Sequence, residues 1–538
     1  SMSKKIKVVV SFILSVIILT SLFIGCTVNQ TTNTNKEETA TESTAIKAPD
    51  KIRIFYGTAG IAVPEGVSVS DNPFINKIAE MANVEFTEVT VPAYTDFITK
   101  FNLMVASGDI PDFLHCWSID EVQKHGNMGA FLELTDVIKN STVLSKKYND
   151  EILELMKDEK GKIYALRTLG TQDPASSVVR KDLIDELNDG IMPITPDEWY
   201  EVFKKQKAKY PDSTPYSSPG GLWGLEIFFN AYGVSINISG ANWQCTNGKF
   251  INAFEAPLCK EAIIYHKKLY DEGLLDKTFV TNKLQDYIDR KYNKGVLIAP
   301  NNLRSVISYI GNYKKNSIPS AVIVPGPLPK VDDERIENTN VYPALAAIGG
   351  HCVSISANTK NKDAVIRLIE VLLSDEVKNM TSWGREGIEY NIANNKKTLN
   401  IEKSTETSYR SIYSFMFTYG SEEHVKTALE GQIGLIDEAK RAEYRSVFEV
   451  GMKVAYDQAS SNKSSITPAS FIHLLTDTVS KRTEALELSK AIILKAITGE
   501  ISLEEYDVQV AEFLKTYKSI TDEYNTKHEE AKAKYTNY

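Results

Sequence analysis

From Lys51 onward the spacing of apolar residues switches between two and three-to-four over short intervals, and few folds accept that pattern. Lys51–Tyr56 (KIRIFY) alternates and is rich in β-formers, which predicts an opening strand. Phe74, Ile75, Ile78 and Met81 then fall at helical spacing between Asn72 and Ala82, and Val84 to Val91 reads as a second strand. Tyr94 to Ser107 is helical again, with Phe97, Phe101, Leu103, Met104 and Val105 supplying its apolar face. Gly108 and Pro111 mark a tight turn into a third strand, Pro111 to Trp117. Strand and helix alternating through short connections predict an α/β layered domain with a largely parallel sheet.

The middle of the chain repeats the pattern with more helix. Val178 to Leu187, Asp197 to Ala208 and Ala256 to Glu272 read as helices, the last with Pro257 in its first turn and Gly273 as a C-cap. Lys294 to Ala299, Ser320 to Val324 and Ala344 to Ser356 read as strands, with a helix from Asp363 to Leu373. From about Ser421 onward the pattern is helical and charged. The patterned body is more than 480 residues long, which is beyond what one core supports, so two α/β lobes with a helical C-terminal portion are expected.

Ahead of this body, Lys4, Lys5 and Lys7 lead into an apolar run from Val8 to Ile24 that stops at Gly25-Cys26. A basic stretch, a short apolar stretch and a small residue before the break describe a secretory signal, too short for a permanent span. Phe23-Ile24-Gly25-Cys26 resembles the lipobox of bacterial lipoproteins, in which the cysteine thiol receives diacylglycerol and becomes the mature N-terminus. That family carries Leu three residues before the cysteine, where this chain has Phe23, with Leu22 one earlier. The resemblance implies lipidation at Cys26, and two acyl chains are enough for stable anchoring. Thr27 to Ala48 is Thr, Asn and Glu with almost nothing to bury, as expected of a disordered polar tether.

Composition and motifs exclude several function classes. A net charge of −9 argues against a nucleic-acid partner, because phosphate binding needs a basic face. There is no GxSxG, HExxH, GxxxxGK[ST] or GxGxxG motif, and no pair among the seven His has metal-ligand spacing, so neither an enzyme signature nor a cofactor is expected. Cys116, Cys245, Cys259 and Cys352 show no CxxC spacing; buried free thiols and a Cys245–Cys259 disulfide both remain open.

Six short motifs in order, spread over nearly all of residues 48 to 538, carry a family resemblance. They are Phe101-Asn-Leu-Met-Val-Ala-Ser-Gly-Asp-Ile-Pro-Asp112, Gly161-Lys-Ile-Tyr164, and Arg180-Lys-Asp-Leu183 with Thr195-Pro-Asp-Glu-Trp199. Asp271-Glu-Gly-Leu-Leu-Asp276, Trp383-Gly-Arg-Glu-Gly-Ile-Glu-Tyr390 and Ile497-Thr-Gly-Glu500 with Tyr506-Asp507 complete the set. The chain resembles the extracellular solute-binding proteins of family 1, the large Gram-positive lipoprotein subgroup of carbohydrate ABC importers. The resemblance implies the type II periplasmic-binding-protein fold, two α/β lobes with an interlobe cleft. The boundaries expected are a signal peptide at 1–26, the tether at 27–48, one lobe from 49–170 with 345–400, and the other from 171–344 with 401–538. It implies a monomeric, lipid-anchored protein at the extracellular face of the membrane that passes an oligosaccharide to the permease subunits. Many relatives carry a calcium loop after the DEW helix; Lys209 to Tyr216 lacks the carboxylates for one, so no metal is expected. A peptide or other non-sugar ligand is the alternative, and a surface-anchored glycoside hydrolase the further one. The hydrolase requires two facing carboxylates about 5 or 9 Å apart.

In open α/β sheets ligands bind beyond the carboxyl ends of strands. That places Trp117, Ser118 and Asp120 after the third strand, Tyr56 and Thr58 after the first, and Asn301, Asn302 and Arg304 after Val296 to Ala299. The resemblance adds Trp223, in the loop where related proteins hold a cleft aromatic, with Trp383 and Tyr413 near the lobe crossings. Trp199, on a structural motif, is expected to pack in a core.

Overall fold

The computed structural model describes residues 47–534, apart from 170–172, 304–305, 308, 311–317, 319, 337–338, 342–347, 417–421 and 462–471. The chain divides into two compact units, Ser1–Ala48 and Pro49–Tyr538. The second unit holds every strand and helix among the described residues, while Cys26 and tether residues 27–46 lie outside them.

Strand β1 (Asp50–Phe55) has the expected two-residue period. Ile52 and Ile54 enter one apolar core and Phe55 a second core on the other face. Helix α1 (Pro73–Ala82) starts at Asn72, whose side chain accepts the N–H groups of Phe74 and Ile75 at 3.0 and 3.2 Å, and it delivers β2 (Val84–Thr90), parallel to β1. Helix α2 (Phe97–Ser107) ends at Gly108, whose φ of 77° the left-handed region supplies to glycine without a Cβ clash. Phe97 and Phe101 are fully buried. Each such burial contributes roughly 1.5–3 kcal/mol, more than helix propensity differences of under about 1 kcal/mol per residue, so packing sets the position of this helix.

Asp112, at the end of the Gly108–Asp112 turn, ties three segments together. Its carboxylate accepts the Arg53 N–H at 2.8 Å and the Thr359 hydroxyl at 2.6 Å. This seats β3 (Phe113–Cys116) parallel to β1. Then come β4 (Leu166–Leu169) and β5 (Ala175–Arg180), the hairpins β6 (Ile236–Asn237)–β7 (Gly240–Ala241) and β8 (Trp243–Thr246)–β9 (Lys249–Asn252), and β10 (Ile298–Asn302), β11 (Ile323–Gly326) and β12 (Ile348–Ile355).

Two sheets organise the lobes. The first has the order β2-β1-β3-β12-β4 and the second β10-β5-β11. The first is mixed rather than largely parallel, since β12 runs antiparallel to both β3 and β4. The reason is connectivity. The chain leaves the first sheet at the end of β4 for β5 in the second, and it must return from that side, so the returning strand points the opposite way. In the second sheet both neighbours of β5 are antiparallel. Ala175–Arg180 is therefore a strand, and the helix expected from Val178 begins only at Lys181. Ser176 to Val179 is flanked on both edges, a setting that suits a β-branched pair.

The core of the second lobe is built around Trp199, fully buried, with Phe203, Tyr216, Phe228 and Phe229. Helix Pro196–Lys209 opens on a capping box between Thr195 and Glu198. The C-terminal helices Thr476–Thr498 and Leu503–Thr516 close the core with Ile492, Ile493, Ala496, Ile497, Tyr506 and Phe513. Tyr409, Ile412 and Tyr413 pack in the first core, so it draws on residues past 400, where the sequence reading started the second lobe. All four described cysteines are buried free thiols.

The Trp383–Tyr390 motif forms a structural knot. Glu389 has no exposed side chain, and Arg385 binds it through Nη2 at 2.6 Å and Nε at 3.1 Å. A Cβ at Gly384 would lie 2.5 Å from that of Glu389. Buried Arg410 donates to the carbonyls of Ser382 and Ser404 at 2.9 and 2.8 Å and adds favourable charge. Burial alone would raise the Glu389 carboxyl, but the bonds from Arg385 outweigh it and hold the group below its ordinary value. Glu389→Gln is expected to cost about 3 kcal/mol in urea unfolding, because it leaves Arg385 and Arg410 without a counter-charge. A depressed carboxyl stabilises above its unfolded value and loses that contribution as pH falls through the folded one. The gap between wild type and E389Q is therefore expected to narrow below about pH 4.

Candidate functional site

The carboxyl ends of β1 and β3 and the start of β12 meet at one edge of the first sheet. Beyond β1, Gly57 lies under the Trp117 ring, close enough that a Cβ would come 2.5 Å from Cζ3. Beyond β3, half-buried Trp117 stacks on Phe97 with centroids 3.9 Å apart and planes 24° apart. Beside it, β12 brings in His351, whose ring sits edge-on to Trp117 at 6.1 Å. Thr58 is half-buried in the turn after Gly57.

His115 links these ends. Its Nδ1 accepts the Gly57 N–H at 3.2 Å, so a neutral ring carries its proton on Nε2, which lies 2.9 Å from Nδ1 of His351. The tautomers follow from the bonds: His115 Nε2–H donates, His351 Nδ1 accepts, and the proton of neutral His351 is on Nε2. Complete burial, with His351 adding to it, pushes His115 well below its ordinary value. The sequence reading missed His351, which is 236 residues from its partner.

Next to this edge a cavity of about 680 Å³ separates the two lobes. On the first-lobe side it is lined by helix α3 (Ile119–Asn127) with Ser118, by Asp158 and Glu159, and by Arg167, the second residue of β4. On the other side it is lined by the first turns of helix Thr476–Thr498 and the residues just before it. Among the described residues, polar contacts that span it include Arg482 Nη2 facing Asp120 at 3.6 Å and the Thr476 hydroxyl donating to Glu159 at 3.1 Å. Arg482 also donates to the Tyr524 hydroxyl at 2.9 Å.

The residues proposed from sequence divide accordingly. Ser118 and Asp120 line the cavity, while Trp117 and Thr58 are not among the lining residues, although Trp117 directly precedes Ser118. Tyr56 and Tyr413 are about 1% exposed and have no face for a ligand. Their hydroxyls both donate to the Val69 carbonyl, at 2.5 and 3.0 Å, and Tyr413 also accepts from the Asn72 amide at 2.7 Å. With those polar ends satisfied inside, the rings serve the core. Trp223 is 42% exposed but is not among the lining residues. Trp383 packs edge-on to Tyr390 at 6.0 Å under the Lys397 ammonium, away from the lining. Asn301 pairs with Ser176 on β10, and Arg304 lies outside the described residues. Arg167, Asp158, Glu159 and Arg482 were not anticipated. Nothing local marks them.

Among the described residues no three His, Cys, Asp or Glu side chains gather as a metal site. The Lys209–Tyr216 loop closes on itself, with the Lys207 ammonium donating to the Ser213 carbonyl at 2.7 Å.

The bacterial extracellular solute-binding protein family model matches residues 74–403, more than half of the chain. Lipoprotein LipO of Bacillus subtilis strain 168 is 26% identical over 393 residues, 68% of this chain and 72% of that protein. Among solved structures, the alginate-binding protein AlgQ2 without calcium ion superposes with a TM-score of 0.65 at 17% identity, over 89% of this chain and 98% of that one. The Streptococcus pneumoniae ABC-transporter substrate-binding protein FusA, solved with kestose, gives a TM-score of 0.64 at 15% identity, over 90% and 100%. The chain belongs to the bacterial extracellular solute-binding protein family, and its fold is the type II periplasmic-binding architecture.

Two outcomes follow from the strand-end cluster. Gly57→Ala is expected to lift Trp117 off Phe97, seen as a change in tryptophan fluorescence, and to cost about 1–3 kcal/mol of stability. His115 and His266 are both enclosed and depressed, His266 to about 4 against an ordinary 6.5. Such groups bind protons on unfolding, so stability should fall as pH drops below about 6.5, by up to ~1.4 kcal/mol per pH unit for each histidine. Urea midpoints measured between neutral and mildly acidic pH check this, and His115→Gln should flatten the slope.

Proposed function

We propose that this solute-binding protein captures an oligosaccharide between its lobes and hands it to the permease of an ABC importer, held at the extracellular face of the membrane by a lipid on Cys26. The observation that carries this reading is the interlobe cavity of about 680 Å³, lined by hydrogen-bonding side chains from both lobes, with Trp117 next in sequence to lining Ser118. A sugar ring offers an apolar C–H face to an aromatic plane and a rim of hydroxyls to carboxylates, amides and guanidinium groups. The volume falls in the range of small-molecule sites, roughly 300–1,000 Å³.

Trp117, Ser118, Asp120 and Thr58 are the ligand contacts on the first-lobe side, and Thr476 and Arg482 those on the other. A ligand that touches both sides gains contacts only when the lobes approach, and that differential drives closure. On this reading the first lobe is 49–170 with a return segment from about 345, and the second is 171–344 with the C-terminal helices. The names of relatives support the assignment: FusA is a substrate-binding protein solved with kestose, AlgQ2 binds alginate, and LipO is a lipoprotein. All three are named as binding proteins or lipoproteins, not as enzymes, and the protein acts as a monomeric binder.

The test is a thermal-shift screen of the body from residue 49 against plant and host oligosaccharides. A ligand at about 100 times its Kd raises stability by about 2.7 kcal/mol, an upward shift of a few degrees in Tm. A shift with the sugar recovered intact is expected. Cleavage of the sugar, or a shift given by peptides alone, would overturn the proposal.

A further inference from the structure

One guanidinium reaches the interlobe cavity from each lobe, Arg167 from β4 and Arg482 from helix Thr476–Thr498. We infer that this pair receives a carboxylate of the bound solute, so that the ligand is an acidic oligosaccharide carrying at least one uronate unit. The inference rests on the carbohydrate reading and narrows it to a ligand class.

The two groups are short of counter-charge. Among the described residues the Arg167 side chain makes one hydrogen bond, from Nε to the neutral Gly349 carbonyl at 2.9 Å. Its two Nη groups have no partner there, on a residue that lines the cavity. Burial lowers the Arg167 pKa, and nearby Asp120 does not offset it. Arg482 gives Nη1 to the Tyr524 hydroxyl, also neutral, at 2.9 Å. Its Nη2 stays 3.6 Å from Asp120, beyond hydrogen-bond reach. Asp120 is the carboxylate that acts on both guanidiniums. One carboxylate between two cations leaves a positive charge over.

A guanidinium presents its N–H donors in a planar fork that meets a carboxylate through two parallel bonds. The Nη edge of Arg167 is such a fork, and a ligand carboxylate can take it without breaking an ion pair. The first turns of α3 and of helix Thr476–Thr498 line the same cavity without a side-chain cap. Their N–H groups add to the pull of the arginines on an anion.

The other carboxylates of the lining are held by donors of their own. Asp158 accepts from the Asn127 amide at 2.9 Å and from the backbone N–H groups of Lys160 and Lys162 at 2.9 and 2.8 Å. Glu121 lies 3.7 Å from both Lys124 and His125. Glu159 accepts the Thr476 hydroxyl. Thr476 and Arg482 are six residues apart on one helix, about 9 Å along its axis, so Glu159 and Arg482 mark different points of the cleft. A solute with a carboxylate at one point and hydroxyls at the other matches that order. The uronate meets the arginines, and a neutral unit donates a hydroxyl proton to Glu159.

The test is calorimetric titration of the body from residue 49 with uronate oligomers (oligogalacturonates and glucuronate-bearing xylo-oligosaccharides). Each is run beside the same oligomer with its carboxyls reduced to alcohols. An acidic oligomer that binds at least about tenfold tighter than its reduced form, with the gap shrinking as salt is added, is the expected result. Arg167→Gln should remove that preference and leave the affinity for the reduced form unchanged. Because Arg167 also ties β4 to Gly349, Arg482→Gln on the opposite lobe is the second variant, with the same loss expected; circular dichroism checks that both fold. Neutral oligomers binding as tightly as acidic ones, or a preference that survives either substitution in a folded protein, would overturn the inference and leave the carbohydrate reading standing. If the folded protein binds no oligosaccharide, acidic or neutral, the carbohydrate reading fails and the inference fails with it.

Discussion

The antiparallel return of β12 between β3 and β4 is the constraint on which the site depends. Two lobes built from one chain need at least one strand to leave the first sheet and one to come back. Where the leaving strand and the returning strand are neighbours, their ends toward the second lobe lie together. β4 contributes Arg167, β3 contributes Trp117, and β12 contributes His351 at that shared edge. Of these, Arg167 reaches the cavity itself.

At that edge a short run of hydrogen bonds does more than fill space. The Gly57 N–H fixes one nitrogen of His115 as an acceptor, which makes the other a donor to His351. Each proton position depends on the one before it. Adding a proton to either ring breaks the sequence, because two donors would then face each other, and burial of His115 opposes it further. Trp117 rests on Gly57 and Phe97 in the same cluster, so its ring keeps its orientation while the histidines stay neutral.

The cleft itself is held more lightly. Asp120 is 61% exposed where it meets Arg482, and pairs as exposed as that contribute only about 0–1 kcal/mol. The large apolar cores of the two lobes lie on either side and share no strand. A body with strong cores and weak bridging contacts can exchange those bridges for a ligand without losing stability elsewhere.

Local interactions left a readable trace. The period of β1 and the Gly108–Asp112 turn each depend on residues within about one helix length, so the order of residues alone determined them, along with the two-lobe α/β class and the Trp117–Asp120 strand end. Tertiary structure decided the rest. Tyr56 sits at a strand end, yet it is buried because Tyr413 and the Asn72 cap cover it. His115 meets His351 across 236 residues, and Arg482 reaches Asp120 from a helix whose local pattern reads only as a charged tail. Periodicity says which face of an element is apolar, but not which distant segment will cover it. Charge at a position says nothing of the partner that will neutralise it.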